Sequence, residues 1–196
     1  MRTSKRPSPN DFPNIEARDR TAWRAWLRHH HKTSPGVWLV YYKKGSGVPS
    51  VTYAEAVEEA LCFGWIDSKI HAVDSLRYRQ IFTPRKPGST WSKLNKRRIA
   101  ALIRGKRMTA AGMAKITAAR KDGSWKSLDE VEDLRMPAEL TRALAANTQA
   151  RRYFEEFSDS ARKLIIRWIT QAKRPETRLR RVHETVRLAS LNKKPY

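Results

Sequence analysis

One cysteine, Cys62, stands in the whole 196-residue sequence, which excludes an internal disulfide and suits a reducing compartment. No apolar run approaches the ~20 residues that a membrane-spanning helix needs. The opening MRTSKRPSPNDFPN is basic and proline-rich and lacks the apolar stretch of a secretory signal, so a cytoplasmic protein is expected. Negative charge is scarce as well. Nineteen Asp and Glu face 41 Lys and Arg, for a formal charge of +22 and a pI near 10.8. That balance attracts polyanions such as nucleic acid, anionic lipid or an acidic protein surface, though an arginine-biased soluble surface would look the same. The loop Lys43–Gly47, KKGSG, lacks the GxxxxGK[ST] pattern and reads as an exposed turn. Helix-turn-helix, zinc-finger and RNP-like signatures are missing too, so nucleic-acid binding would be electrostatic and weakly sequence-selective.

What is present suffices for a packed core: 40% apolar residues and seven Trp. Residues 1–13 carry three prolines and are expected to form a flexible tail. From Ala17 to His31 the positions Ala22, Trp23, Trp26, Leu27 and His30 repeat at helical spacing, with Arg18, Arg24, Arg28 and Lys32 facing out. VWLVYY (Val37 to Tyr42) is continuous rather than alternating, as in a strand covered on both faces. Thr52 and Glu55 form a capping box for a helix with Tyr53, Val57, Ala60 and Leu61 on its buried stripe, ended by Gly64. Trp65–Asp67 begins a second strand, Val73-Asp74-Ser75 a hairpin turn, and Leu76–Thr83 the return, stopped by Pro84. Ser89 or Thr90 is expected to cap a basic helix with Leu94, Ile99, Leu102 and Ile103 inward, and Thr109–Lys121 a further one.

Beyond Lys126 the pattern is helical. Residues 127–136 read as a connection and 137–192 as a helical lobe, with Leu164, Ile165, Trp168, Ile169, Leu179, Val182 and Val186 expected in its core. The fold class is therefore α+β: a small antiparallel or mixed sheet of about three strands covered by helices over 14–126, then an all-helical C-terminal lobe.

Residues 61–95 concentrate polar side chains that core-building does not require. Arg85 and Lys86 precede a helix start rich in hydroxyls, and such a start with free N–H groups and a guanidinium suits an anion. Asp67, Tyr78, Thr83, Arg85, Ser89, Trp91, Ser92 and Asn95 are the candidate ligand-binding residues, expected to line one pocket for an anionic small molecule or acidic protein surface. The alternative is that Arg85 simply pairs with Asp67 or Asp74 on an exposed strand exit.

Catalytic and metal-binding residues are not indicated. Cys62 follows core Leu61 on a helix and reads as packing, and the hairpin Asp74 is expected for backbone reasons. His29, His30 and His31 point about 100° apart on a helix and cannot converge on one ion. No cofactor is indicated, and an enzyme of unknown reaction stands only as an alternative.

FGWID (Phe63 to Asp67), FTPR (Phe82 to Arg85), STWSKLN (Ser89 to Asn95) and IIRWITQAKRPETRLRRV (Ile165 to Val182) together resemble the YdeI/OmpD-associated, or bacteriocin-protection, family. The resemblance spans roughly residues 14 to 192. It implies a stress-protection or accessory protein linked to resistance against bacteriocins or cationic antimicrobial peptides, with an outer-membrane porin as associate. A +22 chain is ill suited to capture cationic peptides directly, so protection is expected to be indirect.

Overall fold

The computed structural model describes residues 8–195, which fall into two compact units that divide between Lys126 and Ser127. The first unit is a four-stranded sheet with helices. Its elements are β1 (Asn14–Glu16), α1 (Arg20–His30), β2 (Val37–Tyr42), α2 (Tyr53–Cys62), β3 (Trp65–Ala72), β4 (Arg77–Pro84), α3 (Lys93–Arg104) and α4 (Ala110–Lys121). The strand order is β1-β2-β4-β3, with β1 parallel to β2 and the other pairs antiparallel. The strand beyond the expected three is β1, which has one apolar residue, Ile15, and therefore no periodic signal.

Alternation along the strands sorts the sheet into two faces. Val37, Leu39 and Tyr41 of β2 lie beside Phe82, Gln80 and Tyr78 of β4 and face the main core, which Trp23, Leu27, Val57, Leu61 and Trp91 complete. The other face carries Trp38, Val40, Arg79 and Ile81. Residues 1–7 of the expected tail lie outside the described residues, but the rest of it covers this second face. Ser8 caps a 3₁₀ turn at Pro9–Asp11, the Trp38 indole N–H donates to the Pro9 carbonyl at 2.9 Å, and the Phe12 ring lies so close to Gly36 that a methyl there would sit 2.2 Å from it. The Arg79 guanidinium, 4.3 Å from the Trp38 ring centroid, and the His71 ring at 4.7 Å add to the cover, so Trp38 is buried although it points away from the helices.

The capping box at Thr52 and Glu55 is formed, and Gly64, at φ +76°, turns the chain from α2 into β3. Four helix expectations change. Ser92, not Ser89 or Thr90, caps α3, and the Ser89 hydroxyl instead donates to the Lys86 carbonyl at 2.6 Å. Leu94 and Ile103 are exposed, leaving Ile99 and Leu102 as the buried stripe of α3, and Tyr53 is half exposed at the start of α2. Arg24 does not face solvent but turns to Glu59 on α2.

The second unit comprises α5 (Asp129–Glu132), α6 (Ala138–Ala145), α7 (Thr148–Glu156), α8 (Asp159–Thr170) and α9 (Pro175–Ala189) around Leu140, Leu144, Phe154, Ile165, Ile169 and Val182. The stretch expected as a connection contains α5, whose Val131 joins that core. Helix α7, capped by Asn147 and anchored by Ala150 and Phe154, was not anticipated. Leu164 and Leu179 are exposed, since Ile166 and the neighbouring Val182 take the inward positions. Among the described residues no helix is long and apolar enough to cross a membrane.

Candidate functional site

Pro84 ends β4, and the next peptide N–H, that of Arg85, donates to the Gly64 carbonyl at 2.9 Å, which draws Arg85 inward. Its exposure is only 3%, so the expected exposed strand exit is replaced by a buried cation. Nη1 donates to the Thr90 carbonyl at 3.0 Å, the guanidinium carbon lies 3.5 Å from the Trp91 ring centroid, and Nε is buried without a partner. Neither expected carboxylate pairs with it. Asp74 is bound to Arg77 at 2.8 Å, and Asp67 accepts from the Tyr53 hydroxyl at 3.0 Å and from Gln80 Nε2 at 2.8 Å. Burial pushes the Arg85 pKa down to about 10, and the charge of Asp67 offsets only part of that.

Arg85 lines a cavity of ≈ 50 Å³ together with Lys86, Gly88, Ser89, Trp91, Lys115 and Asp122. Helix α4 brings the last two. It is pinned to the end of α2 by the Thr109 hydroxyl and N–H, which both donate to the Cys62 carbonyl, and by Gly112, where a methyl would sit 2.3 Å from that oxygen. Asp122, just past α4, accepts from the N–H of Ser124 at 2.9 Å and of Gly88 at 3.2 Å. Hydrogen bonds from the Ser124 side chain and backbone, then that from Gly88, hold its carboxyl below the usual range. Three cations and one carboxylate thus surround space for a few waters at ~10–15 Å³ each, or for one tetrahedral oxyanion.

The structure therefore gathers Arg85, Ser89 and Trp91 at one cavity, with the Asp67 charge within electrostatic reach of Arg85. Tyr78 lies elsewhere: it stacks on Tyr41 at 4.8 Å and borders a separate open hollow of ≈ 710 Å³ with Tyr53 and the loop 43–52. Thr83, paired with Ile66, is on the sheet face opposite Asp67 and Tyr78. Ser92 and Asn95 serve the start of α3, Ser92 accepting from the Asn95 N–H at 3.3 Å and Asn95 from Arg98 at 3.2 Å. Lys115 and Asp122 were not among the expected residues; Asp122-Gly123 carried only a helix-end signal.

Two further clusters belong to the core. Glu59 is fully buried and bound by Arg20, Arg24 and Arg107. Burial works against the Arg20 and Arg24 charges, but the Glu59 hydrogen bonds and charge more than offset it and raise both. Burial also pushes the Cys62 thiol up, which disfavours the nucleophilic thiolate. Among the described residues no group of three or more His, Cys, Asp or Glu is placed to hold a metal ion.

The chain is thus an α+β protein whose mixed unit holds a small cationic cavity and whose second unit is helical. Residues 15–115 match the family described as a domain of unknown function (DUF8412), and residues 133–192 match the one described as Bacteriocin-protection, YdeI or OmpD-Associated. The chain belongs to the first family by its mixed unit, and its helical unit carries the match to the YdeI/OmpD-associated family. The motifs from Phe63 to Asn95 lie in the domain of unknown function, so the YdeI/OmpD-associated match rests on the helices. No curated protein and no solved structure matches the chain.

Proposed function

We propose that this protein is a non-catalytic accessory protein that binds an anionic ligand at the Arg85 cavity. The observation that carries the reading is a guanidinium 3% exposed with no carboxylate in ion-pair contact among the described residues. A buried charge is ordinarily paired, because its desolvation costs several kcal/mol, and a bound anion would supply the missing partner. Lys86 and Lys115, which line the same cavity, add to the attraction. The planar fork of Arg85 suits two-point contact with an oxyanion, which a lysine would not reproduce. The family description speaks of bacteriocin protection; a role of that kind here would act through the anion or its carrier, since the +22 chain repels cationic peptides. Cytoplasmic residence belongs to this reading, because free Cys62 fits a reducing compartment, and cell fractionation tests it.

Calorimetric titration of the whole chain with inorganic phosphate, at about 0.15 M chloride to screen loose surface attraction, tests the proposal. The expected result is saturable one-site binding that Arg85→Met abolishes. Binding that survives unchanged in Arg85→Met would overturn it.

A second reading, electrostatic nucleic-acid binding, is favoured by the exposed Arg97 and Arg104 on α3 and Lys106 just beyond it.

A further inference from the structure

We infer that the Arg85 cavity selects a protonated oxyanion, inorganic phosphate, over sulfate, with the Asp122 carboxylate as the discriminating acceptor. This rests on the anion-binding reading above and goes beyond it, because a site built only of cations would take either ion. The cavity lining carries Arg85, Lys86 and Lys115 against Asp122, a net charge of +2 from three cations and one anion, which matches a dianion better than a monocarboxylate. Its ≈ 50 Å³ is the size of one tetrahedral ion.

A carboxylate in an anion site needs an explanation, since by itself it lowers affinity for every anion. Asp122 is fixed there by N–H donors from two sides, Gly88 on the Arg85 loop and Ser124 beyond α4. An ionised carboxylate is acceptor-only. It can take a hydrogen bond from the P–OH of hydrogen phosphate, whereas sulfate at neutral pH has no proton to give and meets only repulsion. Arg85 is the complementary element: its guanidinium lines the cavity, donates and cannot accept. Donors and an obligate acceptor lining one cavity are what reading the protonation state of an oxyanion requires. Asp122 is exposed, so solvent weakens the contrast. A preference of roughly three- to tenfold is expected rather than the much larger one of a sealed site.

The test is to titrate the whole chain with phosphate and with sulfate near neutral pH, at about 0.15 M chloride, and to repeat both with Asp122→Asn. The side chain of Asn keeps one acceptor oxygen, enough for the Ser124 or the Gly88 N–H but not both, loses the charge, and brings an amide donor in place of the second oxygen. Wild type should bind phosphate more tightly, and Asp122→Asn should bring the two affinities together, chiefly by gaining sulfate. Equal affinities in the wild type, or a preference that survives Asp122→Asn, would sink this inference and leave the anion site standing. If neither ion binds, the anion site falls with it. Should the variant fail to fold, the wild-type ratio alone decides.

Discussion

The guanidinium of Arg85 is stacked on Trp91, its carbon 3.5 Å from the ring centroid, so that an aromatic face rather than a carboxylate receives a buried positive charge. A desolvated contact of this kind is worth about 2 kcal/mol, less than the several kcal/mol that an ion loses on leaving water. The arginine is therefore held at a net cost to folding.

That cost predicts opposite behaviour for two substitutions. Arg85→Met keeps the volume and removes the charge, and should unfold in urea within about 1 kcal/mol of wild type or above it. Arg85→Ala leaves a void against Trp91 and should lose about 2–4 kcal/mol. Equal losses for Met and Ala would mean that the charge itself stabilises the fold.

The cluster around Glu59 behaves in the other direction. With Glu59→Gln, Arg20, Arg24 and Arg107 keep an acceptor but lose the buried countercharge, at a cost of about 2–4 kcal/mol by equilibrium denaturation. A loss below about 0.5 kcal/mol, the scale of ordinary surface changes, would show that the half-exposed arginines are satisfied by water.

Tyrosine ionisation gives a pH dependence with a definite sign. Burial raises the hydroxyl pKa of Tyr41, Tyr53 and Tyr78 above the ordinary value. An unfolded tyrosine ionises near pH ~10, so above that pH the unfolded chain binds fewer protons than the folded one and stability falls. Their contribution is complete below pH ~10 and is lost as pH rises through the folded-state values. Ultraviolet titration should show only part of the six tyrosines ionising before the chain unfolds. Ionisation of all six in a folded chain, judged by circular dichroism, would contradict the burial.

Duplex DNA should bind weakly and without sequence preference, through the exposed arginines on α3 and the overall +22 charge. Fluorescence anisotropy should show affinity collapsing between about 50 and 200 mM salt, by factors of ~10³ or more if several phosphates are contacted. A single preferred sequence bound tightly at physiological salt would promote the nucleic-acid reading above the anion site.

Local signals in the sequence were legible and long-range ones were not. VWLVYY, the Thr52–Glu55 box and the Asp74 turn each declare themselves within a few residues, and each is formed as expected. Periodicity overreached where a stripe was widened by one position: Leu94, Leu164 and Leu179 sit at helical spacing beside residues that do face the core. The cavity was half visible. Arg85, Ser89 and Trp91 share one loop, but Lys115 and Asp122 reach them only because α4 crosses the end of α2 at Gly112, and no spacing rule reports such a crossing. Glu59 and its arginines escaped for the same reason, their partners lying 39, 35 and 48 residues apart.

The Pro9–Phe12 segment changes what the sheet is. Strand β2 is apolar on both surfaces, with helices on one and, on the other, a few residues that would pass for a disposable leader. Shortening the chain to begin at β1 would strip the lid from Trp38 and uncover an aromatic patch beside the short edge strand. Such a product invites sheet-to-sheet self-association, so any shortened version of the mixed unit has to keep Ser8 onward to stay in solution.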